Sequence, residues 1–417
     1  MVIMAVAALA RPDFLARLRL AFARPLILWA SSLAVTLAAL STYARTTLTL
    51  DPTFQPMGDF DAYWRAAVDL SRNTDPYLRY DHHLPFSLSL GYIYPPFLAR
   101  LLEPLAGLPL GQIHVLALII LQLSVAISVL LTWKLLGLRS WPARLLVADC
   151  FLLSSGLTSS IEVGNVNVVL VPLTLAWVVA YRSASPWSWA FAALNVGLKL
   201  TQAPLFALAL LRREWKGLGI GLITGLATIL VGGVSLTWEF LTTTLPRLTG
   251  TVPTGAQNTS LLADIERFIH PGADNLVYDP TYAESHLILI PIVLAVLFFT
   301  MRALHGLKDR LLVALLALTA VPLFSNYLGA AHMLMLLPAG ILLAAYAWRL
   351  HERLLVAVVA TSLFFVADYA ILYTFATTLN YFVARAVFYE IAPGLAAVAL
   401  WLVALRLAVR IKSLSAT

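Results

Sequence analysis

The sequence predicts an all-α protein threaded many times through a membrane, and three observations predict it. The 417 residues are 60% hydrophobic and 12% charged, where a soluble domain carries about 25% charged residues. The shortage of charge extends over the whole length, giving a mean hydropathy of +0.85. Apolar runs close to the roughly 20 residues a crossing helix needs recur from end to end. They cover residues 26–44, 112–133, 145–161, 166–181, 217–237, 286–301, 311–325, 330–348, 354–372 and 386–405. No polar stretch is long enough to fold apart from them, so residues 1–417 read as a single integral membrane domain.

The basic residues thread these runs. The net charge is +7, but no basic run is long enough to track a nucleic acid, and a positive-inside bias accounts for the excess. Arg11, Arg17, Arg19 and Arg24 read as the cytoplasmic flank of an uncleaved first span rather than as a signal peptide. With that end inside, 19 of the 28 basic residues fall in short cytoplasmic segments, provided residues 186–211 cross out and back. That stretch then reads as two short broken helices meeting at Lys199-Leu200-Thr201-Gln202-Ala203-Pro204. Broken helices at membrane depth are tolerated where they line a cavity. The count becomes 12 crossings with both termini inside. Residues 45–111, 238–285 and 373–385 become outer loops. In the first, Phe60, Tyr63, Trp64, Ala67 and Leu70 recur at helical spacing, the pattern of a helix lying on the membrane surface. The single Cys150 lies in an apolar run and excludes a disulfide framework.

Polar residues gather toward the outer side: Asp59, Asp61, Asp75, Tyr77, Tyr94, Glu162, Asn165, Asn167, Lys199, Gln202, Gln257, Asn258, Ser260 and His332. Each has a plain structural reading. Asp59 would cap the surface helix, Asn165 and Asn167 would join helices by hydrogen bonds, and His332 would sit satisfied in a core. Lys199 fits such a reading least, because a lone lysine between broken helices is expensive unless it faces a ligand or cavity. Taken together the groups suit phosphate and sugar chemistry. Lys199 would hold an anionic leaving group, Asp59 would take a proton from an attacking hydroxyl, and His332 would assist the base or bind phosphate. The amides and aromatic rings suit sugar hydroxyls and faces. A transporter would use the same residues but would carry charged groups along the whole pathway. Here Asp149 is the main acid inside a span on the cytoplasmic half.

Asp59-Phe60-x-x-Tyr63-x-x-Ala66, Asp75-Pro76-Tyr77 and Tyr94-Pro95-Pro96 resemble the first-loop signature of glycosyltransferase family 87. The resemblance continues through Gly164-Asn165-x-Asn167, Lys199 followed by Pro204, Gln257-Asn258-x-Ser260, and a histidine after Ser325-Asn326-Tyr327. It covers about residues 55–340. One departure is Leu328-Gly329-Ala330-Ala331 before His332, where the family often has Ser-Pro and Trp nearby.

The resemblance implies a GT-C fold with its active site facing away from the cytoplasm. It implies an inverting glycosyltransferase that moves a sugar, mannose before arabinofuranose, from a polyprenyl-phosphate donor to a lipid-linked or cell-envelope glycan. Asp59 and His332 would be catalytic. Lys199, Asp61, Tyr63, Tyr94, Asn165, Asn167, Gln202, Gln257, Asn258 and Ser260 would bind substrate. No cofactor is required, although Asp61 resembles the second acid of a DxD-like pair that would hold a divalent ion. Many Arg, Ala and Leu suit a high-GC bacterium and its cytoplasmic membrane, whose lipids are the remaining partner. A lipid or oligosaccharide transporter and a non-catalytic assembly subunit are the readings from other classes.

Overall fold

The computed structural model describes residues 25–48, 57–77, 92–249, 258, 260–269, 283–325, 329–367 and 391–416. All the regular structure among them is helical. The first half contains α1 (Pro25–Leu48), α2 (Gly58–Ser71), α3 (Pro96–Leu102), α4 (Leu110–Leu136), α5 (Trp141–Leu152), α6 (Ser155–Glu162), α7 (Asn167–Arg182), α8 (Ser188–Leu198) and α9 (Leu205–Leu211). The second half contains α10 (Trp215–Gly232), α11 (Val234–Glu239), α12 (Leu245–Thr249), α13 (Leu261–Ile269), α14 (Ala283–Leu304), α15 (Arg310–Ala320), α16 (Ala330–Met333), α17 (Leu336–Arg349), α18 (Arg353–Ala367) and α19 (Ala392–Ala416). The chain is a multi-pass membrane protein. Among the described residues, Leu110–Leu136, Trp215–Gly232, Leu287–Leu304 and Ala392–Leu414 are long and apolar enough to cross a bilayer. The pair α5–α6, bent by 52°, reaches the same length and apolarity only when its two helices are taken together.

Local chemistry sets the breaks. At the α5–α6 bend the Ser154 hydroxyl accepts from the Leu157 N–H and starts a new helix. α4 stops at Gly137, whose φ of +66° suits glycine alone at no steric cost. α8 stops at Lys199, an extended residue, and helix resumes through a 3-10 turn and Pro204. α8 has 11 residues and α9 has 7, about 16 and 10 Å at 1.5 Å per residue. Neither crosses about 30 Å of hydrocarbon alone. The pair runs out from the end where Trp189 meets Glu214 and back to it.

One end of the bundle is tied together by arginines on helix C-termini, where carbonyls lack intrahelical partners. Arg182 and Arg349 donate to the carbonyls of Leu135 (2.8 Å) and Leu136 (3.0 Å) at the end of α4. Arg212 donates to the carbonyls of Leu304, the last residue of α14, and of Leu307 just beyond it. Arg310 donates to Tyr181 at the end of α7 and pairs with Glu214 at 2.9 Å. Glu214 also accepts from the Trp189 indole at 2.9 Å. The start of α8 and the end of α9 therefore lie at the same end. Exposed Trp141, Trp187, Trp215 and Trp348 flank these arginines, as an aromatic belt at a membrane boundary does.

The core has two main parts. The larger runs along the bundle, from Trp177, Tyr181 and Trp189 through the buried faces of α15, α17 and α19 to Met333 and Leu334. The second, around Tyr63, Trp64, Tyr77, Tyr92, Ile113, Leu170 and Phe240, underlies the end opposite the arginines. α2 belongs to this second part, which corrects the surface-helix expectation. Phe60, Tyr63, Trp64, Ala67 and Leu70 are buried, and α2 packs on α3 rather than resting its apolar face on lipid. Residues 373–385 lie outside the described residues.

Candidate active site

Four chain segments meet at the end opposite the arginines: the start of α2, the α6–α7 turn, the break after α8, and α16. The first two dock end to end. α6 closes in a Schellman motif, with Asn165 N–H donating to Ser160 O (2.7 Å) and Gly164 N–H to Ile161 O (3.0 Å). Gly164 takes φ +69°, and a Cβ there would lie 2.5 Å from the Phe60 Cβ. Only glycine permits both the turn and the approach of α2. The last carbonyls of α6 then accept the first N–H groups of α2. Met57 N–H reaches Glu162 O (2.7 Å), and the N–H groups of Asp59 and Phe60 reach Val163 O (3.0 and 3.2 Å). Unsatisfied donors of one helix meet unsatisfied acceptors of the other.

This docking corrects the helix-cap reading of Asp59. The N-cap position is Met57, without a side-chain cap. The Asp59 carboxylate instead accepts from Asn165 Nδ2 through Oδ2, at 2.6 Å. Asn165 Oδ1 accepts from the Asn167 N–H at 2.9 Å. That backbone donor fixes which way the amide points. Burial holds the Asp59 carboxyl above its ordinary range, and the hydrogen bond from Asn165 and the charge of Lys199 offset only part of that rise.

Lys199 projects into the same site. It is 9% exposed, and its ammonium stands 5.2 Å from the centre of the Tyr94 ring, a cation–π contact. Tyr94 meets Tyr63 edge to face at 4.9 Å, and the Tyr63 hydroxyl accepts from the Val166 N–H at 3.4 Å. Burial holds that hydroxyl well above its ordinary pKa, hence neutral. Tyr77 braces the platform by donating to the Tyr94 carbonyl at 2.8 Å. His332 lies on α16, packed against α6 and α7, within electrostatic reach of Lys199. The structure thus gathers Asp59, Asn165, Tyr63, Tyr94, Lys199 and His332. Asn167, 1% exposed, starts α7 beside them with an Nδ2 that meets no acceptor among the described residues.

Other expected residues lie elsewhere. Asp61 does not converge on Asp59, because residues two apart on a helix do not share a face. Its Oδ1 is 2.7 Å from His114 Nε2 on α4. A DxD-like pair is therefore not formed by these two acids. Gln202 is taken up in a buried network, accepting from Asn195 (3.1 Å) and donating to Thr174 (2.6 Å). It braces the broken helix rather than facing a ligand. Asn258 accepts from the Ser260 N–H, and the Ser260 hydroxyl accepts from the Ala263 N–H, shaping the start of α13. Gln257, Asn326 and Tyr327 lie outside the described residues. Sequence reasoning missed His114, whose signal was a histidine at the mouth of an apolar run facing an acid-rich loop.

Comparison with known proteins places the chain among sugar transferases by sequence. The chain is 26% identical over 299 residues to the polyprenol-phosphate-mannose-dependent alpha-(1-2)-phosphatidylinositol mannoside mannosyltransferase of Mycobacterium tuberculosis, covering 64% of this chain and 65% of that protein. It is 31% identical over 197 residues to the Mycolicibacterium smegmatis protein of the same name, covering 43% and 44%. It is 27% identical over 201 residues to an alpha-(1->3)-arabinofuranosyltransferase of M. tuberculosis, covering 46% and 45%. The matches thus span less than two thirds of each relative. Residues 92–326, more than half of the chain, match the model of glycosyltransferase family 87, and the chain belongs to that family.

Proposed function

We propose that the protein is an inverting glycosyltransferase. It moves a sugar, mannose in the first reading, from a polyprenyl-phosphate donor to a lipid-linked or cell-envelope glycan on the outer face of a bacterial cytoplasmic membrane. The observation that carries this is the meeting of one carboxylate and one buried ammonium in a family 87 chain. Asp59 Oδ1 accepts no hydrogen bond among the described residues, and the Lys199 ammonium has a ring but no hydrogen-bond acceptor among them.

In the reaction Asp59 takes the proton of the acceptor hydroxyl as that oxygen attacks the anomeric carbon. The bond to the lipid phosphate breaks in the same displacement, which inverts the centre. Proton transfer accompanies bond formation, because a carboxylate is a far weaker base than an alkoxide. Lys199 holds the departing phosphate and offsets its growing charge. His332 stands beside Lys199 to bind phosphate or assist the base. Tyr94 stands beside Lys199 to meet the sugar, with the buried Tyr63 ring behind it, and the Asn167 Nδ2, which meets no acceptor among the described residues, offers a donor. A phosphate monoester departs without a metal, so the step requires none.

The GT-C fold and 12 crossings belong to this reading. The arginines and tryptophans of one end support its placement in the cytoplasm, which puts Asp59 and Lys199 outside. The ion pairs and carbonyl contacts that tie the arginine end also weigh against a transport path. An arabinofuranosyl donor is the second reading, favoured by the arabinofuranosyltransferase relative. The test is to incubate purified protein with polyprenyl-phosphate-mannose, or the arabinofuranose donor, and membrane glycolipid extract. Mass spectrometry should find a hexose added. A pentose would select the second reading, and no transfer from either donor would overturn the proposal.

A further inference from the structure

We propose that Asn165 is a positioning residue for Asp59, turning one carboxylate oxygen toward the acceptor and keeping the other occupied, rather than a ligand of the sugar. The proposal deepens the transferase reading and rests on it for the word acceptor, but the Asn165–Asp59 coupling stands on geometry alone. Both side-chain heteroatoms of Asn165 and its backbone N–H meet protein groups. Its backbone N–H closes the Schellman turn on Ser160, its Oδ1 receives the Asn167 N–H, and its Nδ2 donates to Asp59 Oδ2. The residue is 5% exposed. Both ends of the side chain are thus committed to protein groups, and the one carboxylate it meets is that of Asp59.

The same contacts explain why an amide, and not an acid or an apolar residue, stands here. Nδ2 donates to the carboxylate, which favours the ionised form that a base needs. Two other groups act on Asp59 or feel it: Lys199 from the break after α8 pulls the same way, and neutral Tyr63 of α2 feels the Asp59 charge. Burial opposes them. Asn165 therefore sets both the direction of the free oxygen and the pH at which it becomes available.

Two variants separate positioning from sugar binding. Asn165→Asp keeps an oxygen for the Asn167 N–H, so the turn is preserved, but replaces the donor by a second carboxylate. Asn165→Ala removes both contacts. Positioning predicts that kcat falls about 10²-fold with an unchanged KM for the lipid donor, as for a misplaced reacting group. It also predicts that the acidic limb of the pH–rate profile moves to higher pH, further for Asn165→Asp than for Asn165→Ala. A second readout needs no substrate: dicyclohexylcarbodiimide, which modifies protonated carboxyl groups, followed by peptide mass spectrometry at Asp59. In Asn165→Ala the labelling should persist to higher pH than in the wild type. A loss confined to donor KM, with unmoved pH limb and unmoved labelling, would overturn the assignment and make Asn165 a substrate ligand. If the wild-type chain transferred no sugar, the transferase reading would fall while the labelling still decided the role of Asn165.

Discussion

The two ends of the bundle treat charge in opposite ways. At the arginine end five charged groups are tied into the packing: Arg182, Arg212, Arg310 and Arg349 reach helix carbonyls, and Glu214 joins Arg310 to Trp189. At the other end Lys199 is buried against a ring without a hydrogen-bond acceptor among the described residues, and Asp59 keeps one oxygen open. Burying a charge without an acceptor costs stability. Charge that is satisfied holds this molecule together, and charge left open is where a substrate is expected. The comparison predicts that mutations at the arginine end act on stability, and mutations at the opposite end act on the reaction.

The largest effect should come from Asp59→Asn. Asparagine can still meet Asn165 through its carbonyl oxygen, so the docking of α2 survives. Loss of the base should lower transfer about 10²–10⁴-fold with donor affinity nearly intact, measured by initial rates and donor binding in nanodiscs. A stable variant with near wild-type turnover would move the base to His332. Next comes Gly164→Ala, which asks for φ +69° with a Cβ 2.5 Å from the Phe60 Cβ. Strain of about 1–2 kcal/mol and a shifted turn should lower both the melting temperature and the rate. Unchanged activity here would break the claim that the α2–α6 docking aims Asp59. The smallest effect on rate should come from Arg310→Ala. It leaves Glu214 and the Tyr181 carbonyl without this partner and should cost about 1–3 kcal/mol of stability. Turnover per folded molecule should stay unchanged, read from melting curves beside transfer rates.

Much of this contrast was legible in the sequence. The charge arithmetic required residues 186–211 to run out and back, and Glu214, Trp189 and Arg212 meet their partners at one end as that course demands. The grouping of Asp59, Asn165, Lys199 and His332 followed from their residue types and order. What did not follow was orientation. The periodicity of Phe60, Tyr63 and Trp64 marks an apolar face but cannot say whether lipid or protein covers it. The Asp59-x-Asp61 spacing suggested a shared site, but an α-helix sends residues two apart to different partners. Gln202 looked like a ligand because its true partners, Thr174 and Asn195, lie on helices whose register only the packing fixes. The sequence also hid the second function of the arginines: a positive-inside count records their side of the membrane, not the carbonyls they cap.

The central claim is tested most directly at Lys199. Replacing it by methionine keeps most of the volume and removes a buried ammonium whose described contact is a cation–π one. The measurement is the melting temperature of Lys199→Met beside its donor affinity and transfer rate. The contrast between the two ends predicts a melting temperature equal to or above that of the wild type, because the ammonium is buried against a ring without a hydrogen-bond acceptor among the described residues, and that burial costs stability. It also predicts weakened donor binding and greatly reduced transfer, because Lys199 meets the phosphate in both ground and transition states. A variant that melts lower while binding and transferring normally would contradict the account and make Lys199 part of the architecture.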